Sequence, residues 1–251
     1  MNINPKDLNN IGPYYRVLDS FYVYAGDQED IYVQGSCRNN GLWDLDLTEF
    51  MIKNIKPGWK CLDIGANTGY FTEVMARCAG PTGQVQAFEP IKRLVDLYEE
   101  GKKFNDYSNC APITMNNFGL SNEEKNTYIH IWKNNIGGSS LTNKPNFGTD
   151  EQWGEYYSEE VNVKRLKDVY SEVPDFIKID VEGHEHFVFG GFEEKTYNCP
   201  LIVIELGAAH PREFIEYLKE IYTLNYLEGP EASVESILSH QVVNVIMRRI
   251  W

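Results

Sequence analysis

One segment, Lys60-Cys61-Leu62-Asp63-Ile64-Gly65-Ala66-Asn67-Thr68-Gly69-Tyr70-Phe71-Thr72, leaves the chain few folds to choose from. Apolar Leu62 and Ile64 flank Asp63 as in a buried strand that ends in an acid. Gly65 and Gly69 then bracket a small-residue turn where a ligand can approach the backbone without meeting a Cβ. Phe71, Val74, Met75 and Cys78 follow at helical spacing, and Gly80-Pro81 ends the helix. Gln84-Val85-Gln86-Ala87-Phe88-Glu89-Pro90 reads as a second strand that also closes on an acid. An acid at that tip is where a βαβ nucleotide site hydrogen-bonds ribose hydroxyls. A dinucleotide fingerprint would carry glycine where Asn67 stands, so the pattern favours a ribose-bearing ligand without a diphosphate. S-adenosylmethionine is the common ligand of that kind.

The alternation continues down the chain. Ile91, Leu94, Val95 and Tyr98 form another helical stripe, and Ala111 to Asn117 leads into a third strand. Phe176-Ile177-Lys178-Ile179-Asp180 is a fourth, and Leu201-Ile202-Val203-Ile204-Glu205-Leu206 a fifth. A helix marked by Phe214, Ile215, Leu218, Ile221 and Tyr222 follows Pro211. Strands near residues 223–227 and 242–250 complete seven. In a parallel sheet the acids ending strands one, two and four reach the same level, outside the carboxyl ends where ligands sit. Residues 121–165 are polar and loop-rich apart from a strand at Thr127 to Trp132. Before the first strand, Leu47, Phe50, Met51 and Ile55 predict a helix. Residues 1–40 have a different character: Phe21 to Val33 reads as two short strands around a polar turn. That hairpin either covers a sheet edge or, through Tyr14, Tyr15, Arg38 and Trp43, forms a lid. The organisation expected is a cap over residues 1–40 and a domain over 41–251, in one globular unit.

Asp63-Ile64-Gly65-Ala66-Asn67-Thr68-Gly69 with Phe88-Glu89-Pro90 resembles the first two motifs of class I methyltransferases. Ile177-Lys178-Ile179-Asp180-Val181-Glu182-Gly183-His184-Glu185 resembles the FkbM family more specifically. The similarity runs from about Gly41 to the C-terminus and takes in Asn117 with Leu120-Ser121, Gly138-Ser139-Ser140-Leu141 and Ile202-Val203-Ile204-Glu205. The resemblance implies an α/β, Rossmann-like fold: a mostly parallel seven-stranded sheet with an antiparallel last strand, and helices on both faces. It implies an S-adenosylmethionine-dependent O-methyltransferase acting on a hydroxyl of a small molecule or glycan. Asp63 and Glu89 would take the ammonium and ribose ends of the cofactor, with Gly65, Ala66, Asn67, Gly69, Tyr70, Phe71 and Pro90 around it. Asn117 and Phe118 would approach the adenine, and Asp180 would touch cofactor and acceptor together.

Methyl transfer to a hydroxyl also needs a proton acceptor, and a base of pKa near the working pH suits that task. His184, four residues beyond Asp180, is the first candidate, with Asp180, Glu182 or Glu185 orienting it; Asp180 and Glu182 complete the expected catalytic set. The competing route is a divalent cation on Asp180, Glu182, Glu205 and His210; no metal is the favoured expectation.

Composition narrows the partners. With 251 residues, 42% of them hydrophobic, and a net charge of −14, the chain suits one large core and is repelled by duplexes and anionic membrane surfaces. The expected partner is therefore a small-molecule or glycan acceptor, with no nucleic acid and no membrane. No stretch approaches eighteen apolar residues and no signal peptide is visible, which points to the cytoplasm. Cys37, Cys61, Cys78, Cys110 and Cys199 are odd in number and lack metal-site spacing, as expected of a reduced compartment. A non-catalytic binding protein of the same fold is the alternative function. It is disfavoured because a scaffold has no need of so many desolvated carboxylates. A nicotinamide oxidoreductase is disfavoured by Asn67.

Overall fold

The computed structural model describes residues 10–28, 30–142, 153–227 and 229–250. In the predicted cap, residues 1–9 lie outside that description, as do residues 143–152 of the polar 121–165 stretch.

The strands, in chain order, are β1 (Asn10–Ile11), β2 (Tyr14–Val17), β3 (Phe21–Tyr24), β4 (Lys60–Ile64), β5 (Gln84–Phe88), β6 (Ile113–Asn116), β7 (Gly119–Leu120), β8 (Lys125–Trp132), β9 (Tyr156–Lys164), β10 (Phe176–Ile179), β11 (Ile202–Leu206), β12 (Tyr222–Tyr226) and β13 (Val243–Arg249). Seven of them form the central sheet in the order β12-β13-β11-β10-β4-β5-β6. β4 is parallel to β10 and β5, and β11 is parallel to β10. β13 runs antiparallel between β11 and β12, as the expected last strand. Side-chain alternation sends successive residues to opposite faces. Leu62, Ile64, Ile177, Ile179, Ile202, Ile204, Val245 and Met247 enter one buried cluster, with Phe214, Ile215 and Leu218 of helix Arg212–Ile221. Cys61, Phe176, Val203 and Ile246 enter the other, with Phe50 and Met51 of helix Leu45–Asn54 and Val74 and Met75 of helix Tyr70–Ala79. Two covered faces explain why the central strands read as unbroken apolar runs.

Two expectations are corrected. The N-terminal hairpin exists, but its strands are β2 and β3, turning through Leu18 and Asp19 at φ of 50° and 51°. The expected second strand, Ile31 to Val33, instead opens the helix Val33–Asn40. The Arg38 side chain accounts for this: it donates to the carbonyls of Ala25, Asp27 and Asp30 and folds the intervening segment into a loop. Tyr14 is committed as well, its hydroxyl donating to the Leu97 carbonyl at 3.0 Å. Val17, Phe21 and Val23 join the cluster that holds Phe50 and Met75, so the cap shares a core with the sheet. The second correction is β9, which lies in the stretch expected to be loops. It pairs antiparallel with β8 from Tyr156 to Val163 and parallel with β7 at Val163 and Lys164. Its outer residues, Tyr156 to Ser158 and Glu160, are exposed, and only Val161 and Val163 of the strand are buried.

Candidate active site

The carboxyl ends of β4, β5, β10 and β11 open into a cavity of about 370 Å³. After β4 the chain turns over the end of β10, and Gly65 sits at φ +85° where an added Cβ would lie 1.8 Å from the Asp180 carbonyl oxygen. Only glycine fits that crossing. Asn67, at φ +51°, presents its backbone N–H to Glu89 Oε2 at 2.9 Å, and Ile91 N–H donates to Oε1 at 2.9 Å. Burial pushes the Glu89 carboxyl up to about 7, against the lowering effect of those two N–H groups. Asn67 Oδ1 and Thr68 Oγ1 face this loop buried and without a hydrogen-bond partner among the described residues.

Beneath the loop lies a buried cation that sequence reasoning passed over. Lys178, 3% exposed within β10, places Nζ 3.3 Å from Asp180 Oδ2 and 3.6 Å from Asp63 Oδ1, and donates to the Gly65 carbonyl at 3.3 Å. Burial opposes its charge, but Asp180 and Asp63 outweigh burial and raise its pKa. A lysine inside an otherwise unbroken apolar strand was the available signal, since a buried ammonium demands paired acids.

Of the residues expected at the site, Gly65, Ala66, Asn67, Tyr70, Phe71, Glu89, Pro90, Asp180 and Glu182 line the cavity. The others do not. Asp63, expected at the cofactor ammonium, is fully buried behind the loop, where Thr72 Oγ1 donates to its Oδ2 at 2.5 Å and Lys178 lies alongside. Gly69 turns at φ +83° with the Tyr98 ring in the place of a Cβ, so its part is conformational. Asn117 donates to the Glu89 and Pro90 carbonyls, shaping the loop, while Phe118 packs on Phe88 beneath Lys164; Gly119 and Leu120 supply the cavity wall there. His184 is also outside the wall. Its Nε2 pairs with Ser121 Oγ at 3.1 Å, its ring lies on Phe187, and burial, followed by His186 and Lys125, depresses its pKa to about 4. Glu185 does not orient it: that carboxylate accepts from Val181 N–H and meets His210 Nε2 at 2.6 Å. His210 is thereby kept from the acids it was grouped with.

Asp180, Glu182 and Glu205 do converge, with carboxylate oxygens all within 4.8 Å of one another. Burial, and then the Asp180 charge, hold the Glu182 and Glu205 carboxyls well above the usual range. Such a set can bind a divalent cation or accept a proton. Glu182 stands at φ +54°, and Ser140 Oγ donates to its carbonyl at 2.6 Å, which brings the Gly138–Leu141 segment to the site. Of the four residues suggested as a lid, Trp43 reaches the cavity and Tyr14, Tyr15 and Arg38 do not; Tyr32, Val33, Trp153, Gln241 and Val242 line it without having been anticipated.

Residues 63–229 match the Methyltransferase FkbM domain. "Methyltransferase 1" of Beauveria bassiana is 27% identical over 161 residues, covering 58% of this chain and 63% of that protein. "Methyltransferase sdnD" of Sordaria araneosa is 26% identical over 171 residues, covering 58% of this chain and 65% of that protein. The crystal structure of Methyltransferase FkbM from Methylobacillus flagellatus KT aligns with TM-score 0.45 and 14% identity, over 86% of this chain and 52% of that one. The chain thus spans under two thirds of the length of these relatives.

Proposed function

The chain belongs to the FkbM methyltransferase family, and from that premise we propose that it transfers the methyl group of S-adenosylmethionine to a hydroxyl of a small molecule or glycan. The observation that carries the reading is the pairing of the Gly65 crossing with Glu89: a backbone cradle with no room for a Cβ, beside an acid whose two oxygens are already aimed by Asn67 and Ile91 N–H groups.

The chain's residues fit the cofactor. Glu89 keeps acceptor capacity for two ribose hydroxyls. Asp180 and the Gly65 carbonyl offer acceptors to an ammonium, and the unpartnered Thr68 hydroxyl and Asn67 amide oxygen lie in the loop that would enclose it. When bound, S-adenosylmethionine supplies an electrophilic methyl on a sulfonium. The protein's own contribution is then orientation and exclusion of water: the loop after β4 and Glu89 fix one reactant, and the remaining wall holds the other in line. As the acceptor oxygen attacks, its proton passes to a carboxylate. Glu182 and Glu205 line the cavity and converge with Asp180, and either would take it. Lys178 pairs with Asp180 and anchors the loop through the Gly65 carbonyl.

The test is transfer of label from methyl-labelled S-adenosylmethionine to hydroxylated small molecules and glycans. The reading expects an alkali-stable methyl ether. Label found on amines, or release of S-adenosylhomocysteine without any methylated product, contradicts it.

A further inference from the structure

The cavity has two unlike ends. One is closed, with Glu89, Ile91, Leu94, Ile129 and Ile136 all less than a tenth exposed. The other, beyond Asp180, is bounded by Trp43, Glu182, Glu205, Gln241 and Val242, and it opens to solvent, since Val242 is 41% exposed. A cofactor held by the loop and Glu89 occupies the closed end, so what enters at the mouth is the acceptor.

Trp43, Gln241 and Val242 all fall outside residues 63–229. They meet because Asn244 Nδ2 donates to Asp44 Oδ2 at 3.0 Å, tying the cap of helix Leu45–Asn54 to the start of β13. Asn244 also stands opposite Glu205 in the β11–β13 ladder, which sets the clasp beside the acids. The charge at this end is one-sided. Among the described lining residues Lys178 is the one basic group, and it is shared between Asp63 and Asp180. The Lys178 charge also reaches Glu182 and Glu205, where burial and Asp180 outweigh it.

We propose that Trp43, Gln241 and Val242 are specificity-determining residues, and that they select a low-mass acceptor without anionic groups, whose flat apolar face lies on Trp43 while its hydroxyl points to Glu182 and Glu205. The proposal rests on the methyltransferase reading. A phosphate or carboxylate entering here adds negative charge beside Asp180, Glu182 and Glu205, which converge with Lys178 as the one basic group among the described lining residues, and in a partly desolvated space that repulsion is strong. The indole offers a broad face at little entropic cost, and Gln241 supplies an amide that can donate and accept at the rim. Acceptor choice then resides in segments flanking the family domain, while the cofactor end lies almost wholly within it.

The experiment has two arms. In the first, wild-type protein is incubated with methyl-labelled S-adenosylmethionine and a low-mass extract of source cells, and the products are passed over an anion exchanger. Label beyond that of a protein-free control, which carries the unreacted cationic cofactor, is expected in the unretained fraction; excess label held on the exchanger, or in neither fraction while S-adenosylhomocysteine binds, overturns the proposal. In the second, Trp43→Ala and Trp43→Phe are titrated with S-adenosylhomocysteine and assayed on the labelled fraction. Trp43→Ala should keep S-adenosylhomocysteine affinity within about twofold and raise the acceptor KM about ten- to a hundredfold, with Trp43→Phe recovering most of the loss. An unchanged acceptor KM, or an equal loss of S-adenosylhomocysteine affinity, overturns the assignment of Trp43. Failure of the wild-type protein to bind S-adenosylhomocysteine is a different result, which removes the underlying methyltransferase reading.

Discussion

At the residue scale, what a side chain touches separates Glu89 from His184. Glu89 titrates at about 7 because burial costs its charge more than two N–H groups return. Its folded pKa lies above the unfolded carboxylate value, so the folded state holds a proton that the unfolded chain releases. Stability from this group is therefore present below about pH 4.5 and falls as pH rises towards 7. In thermal scans of ligand-free protein, Glu89→Gln should flatten the decline across that window relative to wild type; an identical pH profile contradicts the burial argument. His184 is expected to behave differently. Its Nε2 is spent on Ser121, so His184→Gln, which can keep that bond, should leave methyl transfer within about threefold of wild type. A loss of about 10²-fold or more, the scale of a removed general base, would return His184 to the chemistry. The sequence made both residues visible as polar groups near strand ends. It could not show which way each points: the turn from Asp180 to Glu185 passes through two residues of positive φ, Glu182 and Gly183, and periodicity says nothing about the direction of side chains beyond such a turn.

At the element scale, β4 and β10 are joined by more than their ladder, because Lys178 of β10 holds Asp63 of β4, Asp180 and the loop carbonyl of Gly65 together. Lys178→Met should destabilise the protein by about 3–5 kcal/mol, the cost of leaving buried carboxylates without their cation. Lys178→Met combined with Asp63→Asn should recover a substantial part, because one stranded charge is gone. Denaturant unfolding of both variants and of Asp63→Asn alone measures the coupling, and strictly additive losses would show that the two side chains do not act as a pair. The strands of the central sheet were legible because burial on both faces leaves continuous apolar runs, as in Ile202 to Leu206. The cap hairpin was misplaced because Ile31-Tyr32-Val33 has β-forming composition, while the Arg38 contacts that turn it into a helix start are non-local. β9 was missed because Glu159 and Glu160 carry a polar signal through a strand that buries little besides Val161 and Val163.

At the scale of the whole molecule, the sheet order and its one antiparallel strand place four strand ends on one rim, and every residue given to the site hangs from that rim or from a segment folded against it. Gly65 and Glu89 could be read from spacing alone because the βαβ unit fixes them locally. Trp43, Gln241 and Val242 could not, being brought together by a contact between Asp44 and Asn244, two hundred positions apart. Among the described residues no helix is long and apolar enough to cross a membrane. The central claim is that this rim holds a nucleoside without a diphosphate, and calorimetry with S-adenosylhomocysteine and NAD tests it most directly. The account predicts micromolar affinity for S-adenosylhomocysteine, about 8 kcal/mol, weakened by roughly 1.5–3 kcal/mol in Glu89→Ala, and no heat with NAD. Tight binding of NAD, or S-adenosylhomocysteine affinity indifferent to Glu89→Ala, would contradict it.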